Sequence, residues 1–370
     1  MKARPIFASA RKEWFLGLSL ATSLIFLLWD DNLFTYLSNP VGLGAIFVWL
    51  FAIILGSALS VVRHAEHLAV RLGEPYGTLI LTLLVTSIEV ISISAVMLHG
   101  ENNPTLARDT LFSVVMIILN GMVGLSLFAG AWRHKEQTYN LQGANTYIGV
   151  IIPLAVLSLI LPDFTLTTPG PTLSTAQGMF LVFVSVSLYG AFLVIQTSRH
   201  RGYFMIEGAP EEIHSPEPAS HSLLYHIVFL GLYMLPVVFL AEQLAPPMDY
   251  LIETLQAPVK LGGLIIAILV ATPEAVGAVR AAGSNHLQRS MNIFLGSVLS
   301  TIGLTIPAML LVSYATGHSI VLGLQNSDLV MLLLTLAVSV VTFASGRTNV
   351  LQGLAHLVLF AAYLLLIFQN

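Results

Sequence analysis

The sequence predicts an all-α polytopic membrane protein with eleven transmembrane helices: one extra N-terminal helix and two inverted five-helix repeats. Three observations lead there. Only 9% of the residues are Asp, Glu, Lys or Arg while 56% are hydrophobic, whereas a soluble domain carries about 25% charged residues. Apolar runs of about 20 residues, the length that crosses a hydrocarbon core, recur along the whole chain. Lys and Arg fall almost entirely in alternate loops. The chain has no cysteine, which excludes disulfides, thiolate metal sites and cysteine catalysis. The apolar composition names the lipid bilayer as partner, and a net charge of −4 without a basic patch speaks against nucleic acid.

The runs lie near 14–30, 41–62, 76–99, 110–131, 146–162, 177–196, 223–243, 260–282, 291–313, 327–345 and 349–368. The first lacks a small-residue cleavage site and reads as a retained helix, not a signal peptide. Trp14, Trp29 and Trp132 sit at run ends, where interfacial anchors belong. With the N-terminus inside, the inward segments hold Lys2, Arg4, Arg11, Lys12, Arg63, Arg71, Arg133, Lys135, Arg199, Arg201, Arg280, Arg289 and Arg347, and the outward segments only Arg108 and Lys260. Positive charge accumulates in short cytoplasmic loops, so the expectation is a cytoplasmic N-terminus and an external C-terminus.

The third and eighth runs align without gaps at a shift of 185, Gly77 through Glu89 over Gly262 through Glu274. The next pair aligns at a shift of 181, placing Leu106-Ala-Arg108 over Leu287-Gln-Arg289 and Asn120 over Thr301. An odd number of spans separates the copies, so they enter the membrane from opposite sides, a common transporter design. The expected organisation is helix 1 over 1–40, a first half over 41–198, a Pro-, Glu- and His-rich linker over 199–222, and a second half over 223–370.

Glu89 and Glu274 each lie about twelve residues into their helix, about 18 Å along at about 1.5 Å per residue and so close to the bilayer centre. A charge there costs at least about 2.5–3.5 kcal/mol and normally marks an ion path. Burial and mutual repulsion raise a carboxyl pKa, and a metal lowers it again. One site that holds either protons or a metal, but not both, exchanges them. Thr78, Thr82, Thr86, Glu89 and Ser92 form a polar stripe at helical spacing; Gly263, Ala267, Ala271, Glu274 and Gly277 form a small-residue stripe. Pro273 removes a backbone N–H and frees the Leu269 carbonyl. Further candidate ligands are Thr86, Ser87, Asn120, Thr272, Ser297, Ser300 and Thr301. Oxygen donors without His or Cys suit a hard cation.

These residues resemble the cation/calcium exchanger superfamily, which carries one glutamate motif in each inverted half followed by a Gly-Ser-x-Leu-Ser-Asn-like run. Here the second copy reads Ala271-Thr-Pro-Glu274 and Gly296-Ser-Val-Leu-Ser-Thr301. With Gly73-Glu-Pro-Tyr-Gly77 and Leu287-Gln-Arg-Ser-Met291, the chain is most similar to the bacterial ChaA-type sodium/potassium and calcium–proton antiporters, over nearly its whole length. The resemblance implies a bacterial inner-membrane antiporter, alternating access, a cation and proton site shared by Glu89 and Glu274, and Ca²⁺, Na⁺ or K⁺ as transported ion with no cofactor. It also gives the linker acids Glu207, Glu211, Glu212 and Glu217 a regulatory cation contact, with plain linker as the alternative. The first copy departs from the family pattern: Thr86-Ser-Ile precedes Glu89 without the usual glycine, and Val115-Met-Ile-Ile-Leu-Asn120 keeps the asparagine but loses both serines. The resulting shell is poor in amides, which weakens the case for strict Ca²⁺ selectivity.

His64-Ala-Glu66-His67 fits no zinc-protease spacing and reads as a solvated loop. Arg108, Asp109 and Arg289 read as helix-end anchors, and Glu242 and Asp249 as loop charge near the outer mouth. The rivals are a Na⁺-coupled Ca²⁺ exchanger, a channel, and an intramembrane enzyme, for which no catalytic signature stands in the sequence. Homo-oligomerisation is left open.

Overall fold

The structure, a computed structural model, describes residues 13–72, 76–98, 103–205 and 222–369. Nearly all of them are helical. In chain order the long helices are α1 (Trp14–Phe34), α2 (Pro40–Leu72), α3 (Tyr76–Met97), α4 (Leu106–His134), α5 (Leu141–Phe164), α6 (Thr175–Arg199), α7 (Leu223–Gln243), α8 (Lys260–Gly283), α9 (Leu287–Thr316), α10 (Asn326–Thr342) and α11 (Val350–Gln369). Each expected run falls on one of them. Eight helices among the described residues are long and apolar enough to cross a membrane; the apolar parts of α3 and α10, Thr82–Met97 and Asn326–Thr342, are shorter. The α1 segment bends by 81° between Trp14–Asp30 and Asn32–Ser38.

Packing gathers these helices into two compact units, each drawing on both halves of the chain. The first holds α1, α2, α3 and α7. Its α1 and α2 form an antiparallel hairpin through Ser19 Oγ and Ser57 Oγ at 2.9 Å and through Trp49 Nε1, which donates to Thr22 Oγ1 at 3.3 Å. Helix α2 runs ten residues past the expected span, from 62 to Leu72. His64-Ala-Glu66-His67 is therefore helical, not a solvated loop, and His64 is 1% exposed. The physical reason is a partner far away in sequence: Glu13, at the start of α1, neutralises this end of α2 (Arg63 Nη2 to Oε2, 2.6 Å).

The second unit holds α4 to α6 and α8 to α11. Its centre is α4, with 89% of its most apolar window buried, followed by α9 with 72%; α6 and α11 have 28% and keep a broad outer face. Close approach explains the glycines. A Cβ on Gly263 would stand 2.6 Å from the Asp109 carbonyl carbon and 2.7 Å from the Thr110 nitrogen, so α8 lies directly on α4. On Gly353 it would stand 2.6 Å from the Phe128 nitrogen, bringing α11 onto α4.

The loops of this unit collect at two ends. At one end Gln137–Thr138 (β1) pairs antiparallel with Arg347–Thr348 (β2). There Gln137 Nε2 donates to the Ala282 carbonyl at 2.9 Å, and Asn140 Nδ2 to the Gly202 carbonyl at 3.1 Å. At the other end Val321 donates to the Pro104 carbonyl and Gly323 to the Pro171 carbonyl. Arg108 Nη1 reaches the Gly323 carbonyl at 3.0 Å, and Lys260 pairs with Asp328 at 2.9 Å. The first end carries the loops with Arg133, Lys135, Arg199, Arg201, Arg280, Arg289 and Arg347; the second carries Arg108 and Lys260. The alternation read from loop charge is the alternation of loops in space within this unit.

Candidate cation and proton site

Helix α3 places Thr86, Glu89 and Ser92 at successive three-residue steps, one face of a helix. All three are buried, Glu89 at 4% exposure. Thr86 Oγ1 and Ser92 Oγ lie one turn on either side of the carboxylate and have no hydrogen-bond partner among the described residues. A buried hydroxyl without a partner costs about 1–3 kcal/mol, so such groups take a partner from outside the chain, water or an ion. Ser87 turns away: it is half-buried and its Oγ donates to the Leu83 carbonyl at 2.6 Å. That is the ordinary resting place of a membrane-helix serine. The side chain of Thr78 lies outside the described residues.

Glu274 is half-buried on α8, which runs unbroken through Pro273. Ser297, from the facing α9, donates its Oγ hydrogen to Glu274 Oε2. The expected motifs of the eighth and ninth helices therefore meet. Thr272 Oγ1 donates back to the Ile268 carbonyl at 2.5 Å, and Ser300 Oγ to the Ser297 carbonyl at 2.9 Å, so both hydroxyl protons are spent within their own helices. Thr301 is buried and opens a π-helical segment, Thr301–Thr305. Helix α4 carries its own π segment, Ile117–Met122, around Asn120. Such wide turns interrupt the regular ladder and recur at functional sites.

Asn120 is fully buried and held from three sides. Its Nδ2 donates to Thr335 Oγ1 at 2.8 Å and lies 3.5 Å from Met116 Sδ, and its Oδ1 is 3.3 Å from His356 Nδ1. An amide oxygen only accepts, so His356 carries its proton on Nδ1. The neutral ring then accepts at Nε2, where Thr342 Oγ1 stands 3.0 Å away. Sequence reasoning missed Thr335, Thr342 and His356. The available signal was His356 itself, one imidazole inside a 20-residue apolar helix.

The sequence also missed a buried cluster in the first unit. Glu13 accepts from Arg63 Nη2 (2.6 Å), Tyr225 Oη (2.9 Å) and Tyr233 Oη (3.0 Å), with His64 Nε2 at 3.5 Å. Burial pushes this carboxyl up, but the hydrogen bonds from His64, Tyr225 and Tyr233 and the Arg63 charge outweigh it and hold the carboxyl at about 2. Arg108 and Asp109, by contrast, behave as anchors: Arg108 Nε donates to Asp109 Oδ1 at 2.8 Å, both 4% exposed. Glu207, Glu211, Glu212, His214 and Glu217 lie outside the described residues. Among the described residues no three His, Asp or Glu side chains converge as a resident metal would require.

Eight apolar helices of crossing length among the described residues, with one carboxylate on such a helix, α8, and another on the shorter apolar helix α3, are the construction of a membrane ion transporter. The model of the sodium/calcium exchanger protein family matches residues 43–198 and 225–369, and the chain belongs to that family of cation-exchanging transporters. It is 42% identical over 319 residues to the sodium-potassium/proton antiporter ChaA of Escherichia coli, covering 85% of this chain and 86% of that one. It is 22% identical over 333 residues to the Ca²⁺/H⁺ antiporter ChaA of Bacillus subtilis, covering 88% and 93%. Its fold is similar to a crystal structure of the Ca²⁺/H⁺ antiporter YfkE, with a TM-score of 0.73 at 19% identity over 96% of this chain and 98% of that one.

Proposed function

We propose that the chain exchanges a hard cation for protons across a bacterial inner membrane, with Glu89 and Glu274 as the groups that carry both. The observation that carries this reading is Glu89: a buried carboxylate one turn from each of two buried hydroxyls that have no hydrogen-bond partner among the described residues. A carboxylate at that depth is stable when a proton or a cation cancels its charge, and competition between the two couples their movements. Glu274 with Ser297 supplies the second half of the proposed site.

Two further features support the eleven-span inverted repeat. The positions matched at a shift of 181 are Asn120 and Thr301, and each lies in a π segment of one of the two most buried spans, α4 and α9. Loop alternation within the second unit fits the odd span number, and the charge rule assigns the Arg-rich end to the cytoplasm. The proposed cycle is alternating access, each side in turn reaching the glutamates. The relatives named above exchange Na⁺ and K⁺ or Ca²⁺ for protons, which makes these three ions the candidates here. The linker acids Glu207, Glu211, Glu212 and Glu217 are proposed to bind cytosolic cation. Deleting 207–217 is expected to change cation dependence on that side and keep transport; unchanged dependence removes the role.

The test is an imposed proton gradient across vesicles holding purified protein, with Ca²⁺, Na⁺ or K⁺ supplied singly. Proton-driven uptake of at least one ion is expected, absent in Glu89→Gln and Glu274→Gln. The family's name gives weight to a second reading, Na⁺-coupled Ca²⁺ exchange. Ca²⁺ movement that a proton gradient leaves unchanged and a Na⁺ gradient drives establishes that reading instead.

A further inference from the structure

In the first unit, α2 and α7 meet through two imidazoles. His64 is 1% exposed and His226 7%, and their Nδ1 atoms are 3.0 Å apart. A contact between two Nδ1 atoms holds only when one carries a hydrogen and the other a lone pair. The remaining nitrogen of His64, Nε2, faces Glu13 Oε2 at 3.5 Å and Arg63 Nη2 at 3.4 Å. The ring of His67 on α2 also lies against His226, tilted by 34° with ring centroids 4.7 Å apart.

The pair therefore has three charge states with different consequences. With both rings neutral, one Nδ1–H donates to the other Nδ1. With one added proton, His64 donates from Nδ1 to His226 and from Nε2 toward Glu13, whose charge sits beside it; the contact survives. With a second proton, two N–H groups point at each other across 3.0 Å and two cations stand at a ring separation of 5.2 Å. The contact cannot then form. The other charged or titratable groups around the pair are Arg63 and the exposed Glu66 on α2, and Tyr225 and Tyr233 on α7. Helix α3, packed on both α2 and α7, contributes the buried Glu89. Glu242 lies at the opposite end of α7. Glu13 itself is already shared by Arg63, Tyr225 and Tyr233.

We propose that His64 and His226 are a proton-sensing latch that holds α7 to α2 while the pair carries at most one proton and releases it when both rings are charged. Imidazole is the side chain whose charge changes most readily between about pH 5 and 8. This end of the unit carries Arg63 and Arg71, which the charge rule places on the cytoplasmic side. A transporter that imports protons would thus sense their accumulation at the face where they arrive. The latch goes beyond the exchange reaction and holds whether or not Glu89 and Glu274 carry the ion.

Amide hydrogen exchange on the purified full chain, corrected for intrinsic pH dependence, tests it between about pH 7.5 and about pH 5.5, the span over which imidazole changes charge. In wild type, protection over 223–233 and 60–68 is expected to fall at the lower pH while 110–130 stays protected. The loss is at most about tenfold per pH unit, because the released state holds one proton more than the latched one. In His226→Gln, and independently in His64→Gln, the amide bonds the remaining ring but cannot charge, so protection stays level across the range. Protection unchanged in wild type, or lost equally in both variants, overturns the latch. Neither result depends on transport.

Discussion

Replacing Glu13 with Gln keeps the shape of the side chain and its two tyrosine contacts but removes the charge facing Arg63 and His64. The magnitude follows from the carboxyl's own titration, held at about 2 against an ordinary 4.5. At about 1.4 kcal/mol per pH unit this amounts to about 3 kcal/mol of folding stability. It is an upper bound, because Arg63 remains 44% exposed and solvent screens its part. The folded carboxyl binds its proton more weakly than the unfolded one, so the contribution is complete above pH 4.5 and fades as pH falls toward about 2. The assay is the apparent unfolding midpoint in detergent of wild type and Glu13→Gln, at about pH 7 and again near pH 3, below the ordinary carboxyl value. A wide gap at the higher pH that narrows at the lower is expected. No gap at neutral pH, or one of equal size at both, refutes the reasoning.

Three other perturbations follow from the packing. Gly263→Ala drives a Cβ into the Asp109–Thr110 backbone at 2.6 and 2.7 Å, and backbone cannot give as a flexible side chain can. A lower melting temperature by several degrees, with loss of flux, is expected; wild-type melting contradicts the close crossing of α8 and α4. His356→Leu strands Asn120 Oδ1 and Thr342 Oγ1 in the core of the second unit, a loss of about 1–3 kcal/mol for each group. His356→Gln, able to bond one of them, should recover part of the melting temperature, and equal melting of the two variants removes the network argument. Ser297→Ala removes the hydroxyl that donates to Glu274; a hydrogen bond to a charged group contributes about 1.5–3 kcal/mol. Apparent cation affinity in the flux assay is expected to change about tenfold or more, and an unchanged value takes Ser297 out of the site.

The helices were legible because lipid imposes length and apolarity on every span, and the loops because charge respects the membrane's two faces. The same bias hid the polar interior. Periodicity could place Glu89 among Thr86 and Ser92, since they share one helix, and the motif could pair Glu274 with Ser297, since it names consecutive helices. It could not find Glu13 beside His64, 51 positions away, and so it ended α2 at the first charged residues. Nor could it see that Asn120 is engaged by Thr335 and His356, because a lone Thr or His in an apolar run does not name its partner. The π segments around Asn120 and after Ser300 have no composition of their own and emerge only from packing.

The central claim, that one carboxylate pair holds either protons or a cation, is tested most directly by proton release from the purified protein. Ca²⁺, Na⁺ or K⁺ would be added singly in weak buffer and the pH followed. Release of protons on cation binding is expected, stoichiometric with the bound ion and absent in Glu89→Gln/Glu274→Gln. Cation binding that displaces no proton, or release that persists in that double variant, contradicts the account.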